Sequence, residues 1–273
     1  MPPAFLIACL VLIGLIAGGF GGLLGVGGSI VMIPAMMLLL GPDLHVYQGA
    51  AMIVNFFVVV PATVQHLRQS AVMLPVVRAT IPSAVIGVLI GVQLSQSRWL
   101  SGANAIHLSR IFGLFLWYVA VHNLWRAMPG RSGGNVRLRD ADGAVGRSLS
   151  FWKVTATVGL PTGFVAGLLG VGGGVVAVPC QQMFLGLPLR KSIANSAATI
   201  ICISAVGAIV KNFHLVLDGV SLVKPVGLAV ILVPTAAVGA YGGARLTHVL
   251  PLRLLRFALA VLLVYAGWKM IAR

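Results

Sequence analysis

The 273 residues predict an all-α polytopic membrane protein of two homologous, inverted repeats, each with about five helical segments and a short broken or re-entrant helix. Three observations lead there. The chain is 59% hydrophobic and 8% charged, with a mean hydropathy of +1.04. Windows of about 20 residues carry no charge, which suits a hydrocarbon layer of ~30 Å. They do not alternate apolar and polar residues, as barrel strands do. Second, Gly22-Leu23-Leu24-Gly25-Val26-Gly27-Gly28 with Pro34 returns 145 positions later as Gly167-Leu168-Leu169-Gly170-Val171-Gly172-Gly173 with Pro179. Third, both clusters lie inside apolar sequence, where glycine runs make poor helix and leave backbone groups that lipid cannot satisfy.

The apolar segments of the first repeat fall at 4–25, 28–40, 46–65, 73–95 and 104–126. Those of the second fall at 151–169, 173–186, 192–213, 220–245 and 252–272. The segments after the clusters, 28–40 and 173–186, cover about 20 Å at 1.5 Å per residue and read as half-helices or re-entrant arms. The 145-residue offset also pairs Gly18 with Gly163 and Gly41 with Gly186; a small insertion then pairs Pro82-Ser83 with Pro234-Thr235, Gly87 with Gly239 and Gly91 with Gly243. The organisation is thus a first transmembrane repeat at 1–126, a linker at 127–150 and a second repeat at 151–273. The linker is polar, glycine-rich and basic (Arg131, Arg137, Arg139, Arg147) and reads as flexible and cytoplasmic.

Charge sets the orientation. With the linker inside and five crossings per repeat, 13 of the 19 basic residues lie inside and six outside. That bias favours inverted repeats with both termini outside. If each glycine-broken pair counts as one crossing, the repeats become parallel. The N-terminus lacks the basic region of a secretory signal, so the first apolar run reads as retained.

The net charge of +15, with four aspartates and no glutamate, follows from basic loops between apolar runs and does not call for nucleic acid. An acid-poor interior suits an anionic substrate. Cys9, Cys180 and Cys202 form no CxxC pair, and the six histidines show no metal spacing. No acid–base pair sits within a span, so no catalytic residues, metal or cofactor are expected and the chain is not read as an enzyme. The glycine clusters lack the strand and the Lys-Ser/Thr of phosphate loops.

Gly25, Gly27, Gly28 and Ser29, and Gly170, Gly172, Gly173 and Gly174, would end one helix and start another. A helix start offers unpaired N–H groups and a positive dipole end to an anion. The four-residue spacings of Gly14/Gly18/Gly22, Gly87/Gly91 and Gly239/Gly243 read instead as helix packing. In the third segments, Ser192, Asn195, Ser196 and Thr199 share a face, as do Gln48 and Asn55. Their amides and hydroxyls serve an oxyanion or an interhelical hydrogen bond equally well. Asn55, Asn195, Ser196, Thr199 and Gln181, whose repeat counterpart is Met36, complete the candidate substrate-binding set. His66 and Lys211 are repeat counterparts near segment ends, placed to attract an anion or to snorkel to the interface.

GGFGGLLGVGGSIVMIPAMMLLLG at 18–41 and GFVAGLLGVGGGVVAVPCQQMFLGLPLRKSIANSAAT at 163–199 resemble the sulfite exporter TauE/SafE family of membrane transporters, across nearly the whole chain. The resemblance implies export or uptake of small anions, often sulfur-containing, such as sulfite or sulfoacetate. Gly25, Gly27, Gly28, Pro34, Gly170, Gly172, Gly173 and Pro179 carry it. The chain departs from strict duplication where Ser29 stands opposite Gly174, and Ala50-Ala51 opposite Asn195-Ser196. The expectation is a secondary transporter of a small anion in the bacterial inner membrane, working by alternating access with the halves or their arms rocking about the site. Its partners would be the anion, the lipid bilayer, a coupling ion (H+ or Na+) and further copies of itself. A passive anion channel and a non-transporting scaffold are the alternatives.

Overall fold

The computed structural model describes residues 3–24, 27–127, 154–246 and 252–272. The linker expected at 127–150 and the candidate Gly25 lie outside the described residues, apart from Ala127 at a helix end. Ten α-helices form, and no strand is present among the described residues. They are α1 (Pro3–Leu24), α2 (Ser29–Leu40), α3 (Leu44–Arg68), α4 (Leu74–Ser95), α5 (Ala105–Ala127), α6 (Leu160–Leu169), α7 (Gly174–Phe184), α8 (Leu189–Leu217), α9 (Val223–Leu246) and α10 (Leu252–Ile271). A π-helical stretch, Thr155–Gly159, leads into α6. Among the described residues six helices are long and apolar enough to cross a membrane. The 12 residues of α2 and the 11 of α7 rise about 18 and 16 Å, too little to span alone.

Local chemistry sets the boundaries. The chain leaves α2 through Gly41 at φ 106° and leaves α6 through Gly170 in the left-handed conformation, which glycine adopts without strain. Proline in the first turn starts α4, where the missing N–H is no loss, and Pro161 marks the change from the π-helical stretch to α6. Pro34, Pro61, Pro82, Pro179 and Pro234 sit inside helices. Neighbouring helices make that tolerable in a membrane protein.

The two repeats interlock. Helix α1 of the first packs on α9 of the second, and α4 of the first packs on α6 of the second. At the centre α3 crosses α8, and α5 lies against α10. Helix α2 leans on α1 and α3, and α7 on α8 and the π-helical stretch. Glycine makes the closest of these contacts. A Cβ on Gly18 or Gly22 would overlap the carbonyls of Ala236 or Ala240, and one on Gly163 or Gly167 those of Ala84 or Val88. The four-residue glycine spacings are therefore packing stripes, as the sequence indicates. The obstacle is backbone, which cannot rotate aside. Gly163→Val is expected to cost about 3 kcal/mol by overpacking and to lower the Tm of the detergent-purified protein clearly; an unchanged Tm would mean that α4 and α6 do not meet this closely.

Contacts also give direction. Gly49 in α3 faces Asn212 in α8, and Met52 faces Gly207, so these repeat counterparts run antiparallel. Gly113 of α5 meets Ile271 of α10 while Trp117 donates to the Val264 carbonyl at 3.2 Å, again antiparallel. The Trp117 and Trp268 rings stack beside this contact, 6.2 Å between centroids.

Candidate functional site

Both glycine clusters break their helices. Helix α1 stops at Leu24 and α2 restarts at Ser29, with Gly27 at φ 86°. Helix α6 stops at Leu169 and α7 restarts at Gly174, with Gly170, Gly172 and Gly173 at φ 74°, 74° and 81°. The Gly28 carbonyl accepts from the N–H groups of Val31 and Met32, and the Gly173 carbonyl from those of Val176 and Ala177. The N–H groups of Ser29 and Ile30, and those of Gly174 and Val175, belong to the first turns of these two helices and have no acceptor within their own helix.

The breaks meet at Asn55. This residue is buried in α3, and its Nδ2 donates to Ser29 Oγ at 2.8 Å. A Cβ on Gly27 would stand 3.4 Å from Asn55 Oδ1 and 3.6 Å from the Val171 carbonyl; one on Gly172 would stand 2.8 Å from Asn55 Nδ2. One amide thus touches both loops and ties itself to the first residue of α2. Its Oδ1 has no hydrogen-bond partner. The Ser29 hydroxyl can donate as well as accept, so the amide can turn over and place its NH2 where Oδ1 now lies.

Further unpaired polar atoms line the second break. Ser196 and Ile200 share a face of α8, and Ile200 Cγ2 would lie 3.5 Å from a Cβ on Gly172. The Ser196 hydroxyl is buried without a partner. So is that of Thr162, whose methyl sits against Gly173.

The other candidates gather elsewhere. Gln181 is seven residues beyond the start of α7, about 11 Å along the axis. Its Oε1 accepts from Asn195 Nδ2 at 3.4 Å, and Asn195 Oδ1 accepts from the Met73 N–H at 2.7 Å, fastening the start of α4. Gln181 Nε2 is buried and unpaired. Thr199 Oγ1 donates to the Asn195 carbonyl in its own helix at 2.9 Å. Gln181 and Asn195 therefore form a second polar cluster, with no hydrogen bond to the Asn55 group.

Sequence reasoning did not assemble a third group. Ser95, at the end of α4, accepts from Lys211 Nζ and donates to Gln48 Oε1 at 3.5 Å, while Gln48 Nε2 donates to the Leu168 carbonyl at 3.3 Å. Gln48 also lies against Gly170. The helical register of Gln48 with Asn55 was the available signal; Ser95 gave none. Lys211 points inward and is fully buried, so it does not snorkel.

A cavity of about 710 Å³ opens between α3 and α9, walled by Val58, Pro61, Gln65, Arg68, Ala237 and Tyr241. Val58 is one turn from Asn55, and Arg68 stands at the far end of the same helix. Among the described residues no group of three His, Cys, Asp or Glu side chains could hold a metal, and the three cysteines are unpaired.

Apolar helices of spanning length, with a helix broken inside each repeat, define an integral membrane protein of the transporter class. Residues 10–270 match the family described as sulfite exporter TauE/SafE, and the chain belongs to that family. That family is one of membrane transporters and is not an enzyme class. Among its relatives are the probable membrane transporter protein MamO of Paramagnetospirillum magneticum (26% identical, covering 96% of this chain and 44% of MamO) and MamO of Magnetospirillum gryphiswaldense (26%, 95% and 44%). The chain thus spans less than half the length of those two. The probable membrane transporter protein YunE of Bacillus subtilis is 26% identical and matches over 96% of both chains. No solved structure matches.

Proposed function

We propose that this transporter carries a small oxyanion, sulfur-containing as in sulfite or a sulfonate, through a site between the two glycine breaks. One observation carries the reading: the Asn55 amide lies against Gly27 and Gly172 together, so the first turns of α2 and α7 converge on one buried point. Two positive helix ends and the unpaired hydroxyls of Ser196 and Thr162 favour negative charge there. Gly28, Ser29, Gly173 and Gly174 supply backbone donors, and Gly170 shapes the turn. Gln181, Asn195 and Thr199 serve a second polar station on the path rather than the same pocket. The antiparallel course of α3 and α8, and of α5 and α10, supports an inverted repeat. In that arrangement transport proceeds by alternating access in the bacterial inner membrane, driven by an ion gradient (H+ or Na+) or by the substrate's own.

The test is a thermal-shift series on the purified protein with sulfite, sulfate, thiosulfate, taurine, sulfoacetate and acetate. A ligand that binds the folded form alone raises Tm, by about 2.7 kcal/mol of stabilisation at a hundred times its Kd. We expect sulfite or sulfoacetate to do so and Asn55→Leu to erase the shift; a flat response to every anion would refute the site. Accumulation against a gradient in proteoliposomes separates a transporter from a passive channel, which only equilibrates.

A further inference from the structure

We propose that Lys211, with Ser95 and Gln48, forms a second anion-binding position beside the second glycine break and supplies a positive charge to the transport path. This rests on the anion reading above and names the side chain that compensates the anion.

Lys211 lies in α8, a candidate membrane span, with none of its surface exposed. An ammonium so placed is costly without a counter-charge. Among the described residues no carboxylate pairs with it. Asp218 acts on it only from a distance and is exposed past the end of α8, and Asp43 is exposed before α3. Lys211 Nζ has three N–H groups. Ser95 Oγ takes one, and the polar chain beyond runs in a single sense: the Ser95 hydroxyl donates to Gln48 Oε1, and Gln48 Nε2 donates to the Leu168 carbonyl. The chain ends on the Leu168 carbonyl, and no hydrogen bond within it takes the remaining ammonium protons.

The nearby ring does not help. His45 Nε2 lies 3.3 Å from the Leu100 carbonyl, its Nδ1 is buried without a partner, and it sits within electrostatic reach of Lys211. A neutral imidazole contributes no negative charge. Asn212, next in α8, spends its NH2 on the carbonyls of Gly49 and Ala208. The group that completes this site is an anion with oxygen acceptors, and Gln48 places it next to Gly170: a Cβ there would stand 2.8 Å from Gln48 Cγ. The repeat counterpart of Lys211 is His66 near the far end of α3, half-buried, so the two sides of the path are electrically unequal.

The test uses the full chain in proteoliposomes and in detergent, with sulfite, sulfoacetate (a dianion) and acetate (a monoanion) as probes. Lys211→Met is expected to weaken sulfite about tenfold or more and to cut the preference for sulfoacetate over acetate by a similar factor, with Lys211→Arg restoring most of that preference. A purely structural lysine would change yield and Tm and leave the preference as it was. An unchanged preference in folded Lys211→Met overturns the proposal. If that variant does not fold, Ser95→Ala decides: about threefold weaker sulfite supports the site, and wild-type affinity overturns it. A wild-type protein that neither binds nor moves any of the three anions ends the anion reading and this inference together, before any variant is made.

Discussion

Gly172→Ala is expected to reduce transport at least about 100-fold, while Gly186→Ala leaves it near wild type. Both glycines are left-handed, at φ 74° and 62°, so a side chain at either adds roughly 1–2 kcal/mol of backbone strain. The space around them differs. Nothing lies within 4 Å of a Cβ on Gly186, whereas a Cβ on Gly172 would come 2.8 Å from Asn55 Nδ2 and 3.5 Å from Ile200 Cγ2. The methyl would push the amide away from the two loops it joins. Uptake of sulfite into proteoliposomes, with Tm measured alongside, separates strain from crowding. Equal losses of activity and Tm in both variants would assign the effect to backbone strain, and normal transport by Gly172→Ala would remove the break from the mechanism.

Asn55→Asp is the second large effect. The side chains are isosteric, and the Ser29 hydroxyl can donate to a carboxylate where it now accepts from the amide. The fold is thus expected to persist. The new negative charge stands where an anion is expected. Like charges 4 Å apart at an effective dielectric of 20 repel by about 4 kcal/mol, or roughly a thousandfold in affinity. Anion-induced stabilisation is expected to vanish at neutral pH while Asn55→Gln keeps part of it. A full anion response in Asn55→Asp would place the ligand elsewhere.

The helices were readable because each has a chemical cause within a few residues. Segments expected at 28–40 and 173–186 became α2 and α7, since glycine runs stop one helix and lipid forbids a loose end. The glycine stripes were readable as packing because period four is a local property. Partner choice was not. Nothing in the spacing of Gly18 says that Ala236 faces it, because that depends on how the repeats interlock. The candidate site divides the same way. Asn55 was legible as a polar residue on a buried face, but its place between two loops follows from the crossing of α3 with the breaks. Gln181 and Asn195 have the right chemistry and lie two turns of α7 from its start. Ser95 is a single hydroxyl at a helix end and carries no pattern. Lys211 could face inward or outward on its helix, and only the packing of α8 against α4 decides.

The interlock has a mechanical consequence. Helices α1 and α4 belong to the first repeat and their partners α9 and α6 to the second, yet each pair is fused by backbone-on-backbone glycine contact. Bodies welded this way travel together. Under the alternating access proposed above, sliding one repeat past the other would tear both welds, and the parts expected to move together are mixed pairs drawn from both repeats. Neither repeat covers its own glycine stripes; each is closed by the other.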